Sequence, residues 1–118
     1  MTRALAVLAC LALLTGCVTN RSRFTALGPP YPPRAEGCQV EIFRDRPPER
    51  AFVRVARLDV HIEWSLWTRP SLEDAEAELK RQACLAGADA VIDLEERRGA
   101  HIETKRYHVT ATGIKYRP

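Results

Sequence analysis

A chain of 118 residues is enough for one small domain and no more. Its 18 basic and 15 acidic side chains give a net charge of +3, but the basic residues are scattered among acids, and no lysine-rich run or RNA-binding motif occurs. The charge therefore gives no reason to expect a nucleic-acid partner. No G-x-S-x-G, phosphate-binding glycine loop or Cys-x-x-Cys is present, and no nucleophile–base pair stands out, so the sequence points away from an enzyme.

The N-terminus reads as an address. Arg3 supplies a positive start, and Ala4 to Leu14 is an unbroken apolar run with Cys10 inside it. At about 1.5 Å per residue this run is far shorter than a bilayer core of about 30 Å, and it fits the apolar region of a secretory signal. It ends in Leu14-Thr15-Gly16-Cys17, which resembles the lipobox of bacterial lipoproteins. That resemblance implies cleavage before Cys17, so that residues 1–16 form a signal peptide. It also implies a diacylglyceryl group on the Cys17 thiol and an acyl chain, such as palmitate, on its new amine. This covalent lipid is the only attached group expected, with no cofactor. Several acyl chains amount to a stable anchor, since each buried CH₂ contributes about 0.8 kcal/mol. In Gram-negative members an aspartate after the cysteine retains the protein in the inner membrane. Here Val18 stands there, which for a Gram-negative source implies an outer-membrane lipoprotein with its domain facing the periplasm.

Val18 to Gly37 reads as a lipidated tether together with Cys17, so that 17–37 separates the membrane from a domain over 38–118. Its Gly28-Pro29-Pro30-Tyr31-Pro32-Pro33 favours extended polyproline II and lacks the donors of a ladder. Fully drawn out, the tether would reach about 65 Å. Arg21, Arg23 and Arg34 make it basic, and a solvated spacer is the simpler account of them than electrostatic docking.

In the domain, Gln39 to Phe43 alternates as a first strand, and Arg44 to Arg50 holds Pro47-Pro48 and reads as a loop. Ala51 to Trp64 is a long strand. Ala56, Leu58, Val60, Ile62 and Trp64 form its apolar face, and Arg57, Asp59, His61 and Glu63 its polar one. Val53 and Val55 have the other parity, which predicts a bulge or a break near Val55 to Arg57. Ser71 is a preferred N-cap after Pro70, with Asp74 three positions on. From there Leu72, Ala75, Leu79, Ala83 and Ala86 draw a narrow helical stripe rich in alanine, and Gly87 stops it. Ala88 to Leu94 follows as a strand, Glu95 to Glu103 as a polar hairpin connection, and Lys105 to Tyr116 as the last strand. Gly113 within it marks a close approach by another backbone or by the helix. The order β-β-α-β-β predicts an α+β fold, an antiparallel-rich sheet with one helix packed on one face.

Cys10 would leave with the signal and Cys17 would be acylated, which leaves Cys38 and Cys84. An oxidising compartment favours their bridge, whose loop of about 46 residues would contribute at most about 4 kcal/mol. Against it, Cys84 lies about 140° round the helix from Leu79, away from the sheet. The bridge would require the end of the tether to fold over the outer side of the helix. Both readings, disulfide and free thiols, stay open.

Four segments in this order resemble a known group of small bacterial proteins. They are Val40-Glu41-Ile42-Phe43, Arg57-Leu58-Asp59-Val60, Gly87-Ala88-Asp89-Ala90-Val91-Ile92, and Val109-Thr110-Ala111-Thr112-Gly113-Ile114. The group includes the outer-membrane lipoprotein sensor of the Rcs envelope-stress phosphorelay and domains loosely labelled heavy-metal-binding. The likeness implies a non-catalytic sensing or interaction domain on a lipid anchor, with an envelope protein as partner. It differs in its cysteines, because the Rcs sensor has two disulfides and this domain at most one. No residue-level site carries over.

Two candidate sites come from the residues themselves. Asp59, His61 and Glu63 share one face of a strand at metal-ligand spacing, and His108 would join them if its strand is a neighbour; a solvated polar face is the simpler account. Trp67, beside the turn into the helix, would serve as an anchor for a partner or as a lid over the helix end.

Overall fold

A computed structural model describes residues 18–20, 22–65, 72–100 and 104–118. The elements are β1 (Val18–Asn20), β2 (Arg23–Ala26), β3 (Glu41–Ile42), β4 (Phe52–Ser65), α1 (Leu72–Leu85), β5 (Ala90–Ala100) and β6 (Thr104–Tyr116). The fold is α+β: among the described residues one helix packs on a mixed, mostly antiparallel sheet. The sheet order is β1-β4-β6-β5-β3, and β2 shares with β1 the same edge of β4. β3 alone runs parallel to its neighbour, β5. None of the described helices is long and apolar enough to cross a membrane.

The bulge falls where the parity change places it. Register slips between Arg54 and Ala56 of β4, so Val55 is the extra residue. That one residue keeps Val53, Val55, Ala56, Leu58, Val60 and Ile62 together on the side of the core. A second bulge interrupts β5 between Ile92 and Glu95, with Asp93 at φ 54°. Ala75, Leu79 and Ala83 of α1 are fully buried against this sheet, facing Leu58, Val60, Val91, Tyr107 and Val109. The alanines let the helix lie close. α1 ends as the glycine predicts: Gly87, at φ +75°, donates to the Cys84 carbonyl, and the Ala88 N–H reaches back to that of Ala83. These two bonds form a Schellman stop. Gly113 is a close approach, though by a side chain beyond the helix rather than by backbone or helix: a Cβ there would meet that of Ala88 at 3.1 Å. The opposite face of the sheet has its own small cluster of Ala90, Ile92 and Ile114, partly covered by Phe43, Phe52 and Tyr116.

Three expectations need correction. The segment 18–37 is not a free tether. Val18–Asn20 and Arg23–Ala26 are laid antiparallel along β4, with Val18 opposite Trp64 and Ala26 opposite Ala56, so the sheet begins at 18 rather than 38. β2 is exposed throughout and holds the edge through backbone hydrogen bonds, which leave no alternation to read. Next, Glu95 to Ala100 is strand, not connection. It continues the ladder with β6, from Glu95 opposite Thr110 to Ala100 opposite Lys105. Its run of charged residues imitates the composition of a loop. Last, the first strand shrinks to Glu41–Ile42. The Ser71 cap lies outside the described residues.

Candidate functional site

The feature that dominates the helix side of the molecule is a strap. After β2, on one edge of the sheet, the chain crosses the C-terminal end of α1 and reaches β3 on the other edge. The proline-rich segment is part of this crossing. Proline fixes φ and removes donors, which suits a chain laid across a surface rather than into a ladder. Tyr31 and Pro32 lie directly on Gly87: a Cβ there would come within 2.7 Å of the Pro32 carbonyl oxygen and 2.8 Å of the Tyr31 Cβ. The glycine therefore serves two ends, the left-handed turn and the room for the strap.

Arg34 fastens the strap next. Its backbone N–H donates to the Cys84 carbonyl at 2.8 Å, sharing with the Gly87 N–H an acceptor at the helix end. Its guanidinium donates to the carbonyls of Gln39 at 3.0 Å and Ala88 at 2.9 Å. Cys38 and Cys84 then form a disulfide, with Cα atoms 6.0 Å apart. Cys84 does point away from the sheet, as the helical geometry requires, and it is 3% exposed because the strap covers it. Farther along, Arg44 pairs with Glu76 of α1.

Charges along the same groove are arranged in pairs. Arg81 donates two close bonds to Glu78, from Nη2 at 2.6 Å and from Nε at 3.0 Å, and Gln82 donates to Glu78 at 3.1 Å. The hydrogen bond to Glu78, with its charge, raises the Arg81 pKa further above its ordinary value. Between β3, α1 and the end of β6 lies an open cleft of about 600 Å³, bordered by Val40, Ile42, Arg44, Glu76, Asp89 and Tyr116. Asp89 accepts the Tyr116 N–H at 2.8 Å and itself donates through its backbone to the Ile114 carbonyl at 2.7 Å. It joins the start of β5 to the end of β6. Burial first, then the Glu41 carboxylate, pushes the Tyr116 phenol up from its usual value.

The polar face of β4 turns out as follows. His61 stands directly opposite His108, their ring centroids 5.6 Å apart, and His108 Nε2 lies 3.4 Å from Asp59 Oδ1. Asp59 also faces Arg57 at 3.8 Å. β4 and β6 are thus neighbours, and three of the four candidate metal residues gather on one face. Glu63 is placed at its ladder position, opposite Arg106, and its side chain is outside the described residues. Among the described residues no group of three or more His, Cys, Asp or Glu is arranged to hold a metal ion. Trp67 and Cys17 also fall outside the described residues.

Sequence reasoning missed the strap and its two fasteners, Arg34 and the Tyr31–Pro32 contact. Signals for both were present. A glycine helix stop followed at once by a strand, and a cysteine facing away from the sheet, together ask for something to cover that end of the helix. Comparison with protein-family models, with curated proteins and with solved structures found no match.

Proposed function

We propose that the protein is an outer-membrane lipoprotein with a non-catalytic periplasmic domain that senses a condition of the envelope or binds another envelope protein. The observation that carries this reading is the N-terminal sequence, an apolar run from Ala4 ending in Leu14-Thr15-Gly16-Cys17. The Cys38–Cys84 disulfide supports it, because such bonds persist in oxidising compartments and are rare in the cytosol. The motif order from Val40 to Ile114, which resembles the group of the Rcs sensor, supports a sensing role over a purely structural one. Crosslinking in intact envelopes, with recovery of the chain under denaturing conditions, tests that role. A reproducible protein partner supports it, and recovery of the chain alone in every condition of envelope stress tried contradicts it.

A second reading starts from the half-buried strand face that carries His61, His108 and Asp59, which as placed do not yet form a three-ligand metal group. Two imidazoles and a carboxylate are a donor set suited to zinc or copper, and Glu63 would be the fourth. Titration calorimetry with each ion separates the readings. Binding in the micromolar range or tighter, lost in His108→Ala, would favour a metal module.

A further inference from the structure

The placement of β1 has a consequence for how the domain sits. Val18, the residue after Cys17, is already in the sheet, opposite Trp64. Consecutive Cα atoms are about 3.8 Å apart, so an acyl group on Cys17 is held at the edge of the ladder with no spacer between. Four rows of the ladder cross the sheet at this end. The outermost of them runs Val18, Trp64, Lys105, Ala100; the next Thr19, Glu63, Arg106, Gly99. The third runs Asn20, Ile62, Tyr107, Arg98, and the fourth pairs His61, His108 and Arg97. These rows contain Lys105, Arg106, Arg98 and Arg97 against the single carboxylate of Glu63. At about 3.4 Å per residue they lie within about 10 Å of the anchor row, close to one Debye length at physiological salt.

We infer that this end of the β4–β6–β5 sheet docks on the anionic lipid head groups of the membrane that holds the anchor. The inference rests on the acylation of Cys17 proposed above. It differs from electrostatic docking by the tether, because the cations concerned belong to β5 and β6. Charge complementarity and continuity with the anchor single out the lipid surface over other partners. Each basic side chain near an anionic surface strengthens association about fivefold, so four of them decide the orientation of a domain already held there by its lipid.

Trp64 stands in the outermost of these rows, and it and Trp67, the two tryptophans of the chain, serve as native reporters. The full lipidated protein is reconstituted in vesicles carrying a head-group quencher, made of phosphatidylcholine alone or of phosphatidylcholine with phosphatidylglycerol. Mass spectrometry first establishes whether Cys17 is acylated. The expected result is stronger quenching of tryptophan fluorescence in the anionic vesicles, reversed by molar salt. In Arg97→Glu/Arg106→Glu the excess quenching disappears while the circular dichroism spectrum is kept, and the reversal by salt gives the same answer in the unaltered chain should the double variant fail to fold. Equal quenching in neutral and anionic vesicles by an acylated chain overturns the docking and leaves the anchor intact. An unmodified Cys17 overturns the anchor, and the docking with it.

Discussion

Gly87→Ala tests the strap at its tightest point, and Gly37→Ala is its natural control. Both glycines have φ +75°. A non-glycine residue in that conformation costs about 1–2 kcal/mol, and both substitutions stiffen the unfolded chain equally, so those two effects cancel between them. The difference lies in the surroundings. A Cβ at Gly37 meets nothing within 4 Å, whereas at Gly87 it meets the backbone oxygen of Pro32 at 2.7 Å and the Cβ of Tyr31 at 2.8 Å. Neither is the flexible tip of a side chain, so the strap itself must move, and overpacking of this kind costs about 1–3 kcal/mol. Gly37→Ala should thus destabilise by about 1 kcal/mol. Gly87→Ala should cost about 2–4 kcal/mol, a loss of roughly 10–30 °C in Tm for a domain of this size. Urea and thermal denaturation followed by circular dichroism, with the disulfide intact, measures both. Equal losses in the two variants would mean that Tyr31 and Pro32 do not lie on Gly87.

Other expectations follow from the same structure. Reducing the Cys38–Cys84 bond, or replacing Cys84 by serine, should lower stability by up to about 4 kcal/mol in a denaturant titration; an unchanged midpoint would show that the bridge does not restrain the chain. Leu79 is fully buried between helix and sheet, so Leu79→Asp, which places an unpaired carboxylate there, should abolish the folded spectrum, and a folded variant would refute the core. Because the Tyr116 phenol is pushed up, its contribution is fully present below about pH 10 and is lost as pH rises through the higher folded value. Tyr116→Phe should therefore fall less steeply in stability above about pH 10 than the parent, and identical alkaline profiles would contradict the shift.

How much of this was legible depended on whether side chains or only backbone held an element. The helix stripe, the Gly87 stop and the Val55 bulge could be read because each forces a residue type at a position: small and apolar against a sheet, no Cβ at positive φ, a change of parity at an insertion. β2 could not, since all four residues of Arg23–Ala26 stay exposed, Phe24 at 36%, and the strand pairs through its backbone. The outer half of β5 was hidden for a related reason, being charged along Glu95–Arg98. The bridge stays open on sequence alone because helix geometry relates Cys84 to the sheet and not to the strap. Cys84 faces away from the sheet and is nevertheless buried, under a second layer made by the strap. In the polar face, the neighbouring strands of His61 and His108 were an open condition that the register fulfils.

The claim on which the functional account rests is the acylation of Cys17, and metabolic labelling with radioactive palmitate tests it most directly. The account predicts label in the membrane-bound mature chain and its complete loss in Cys17→Ala. Label that persists in that variant, or an unlabelled parent chain recovered from the soluble fraction, would contradict it.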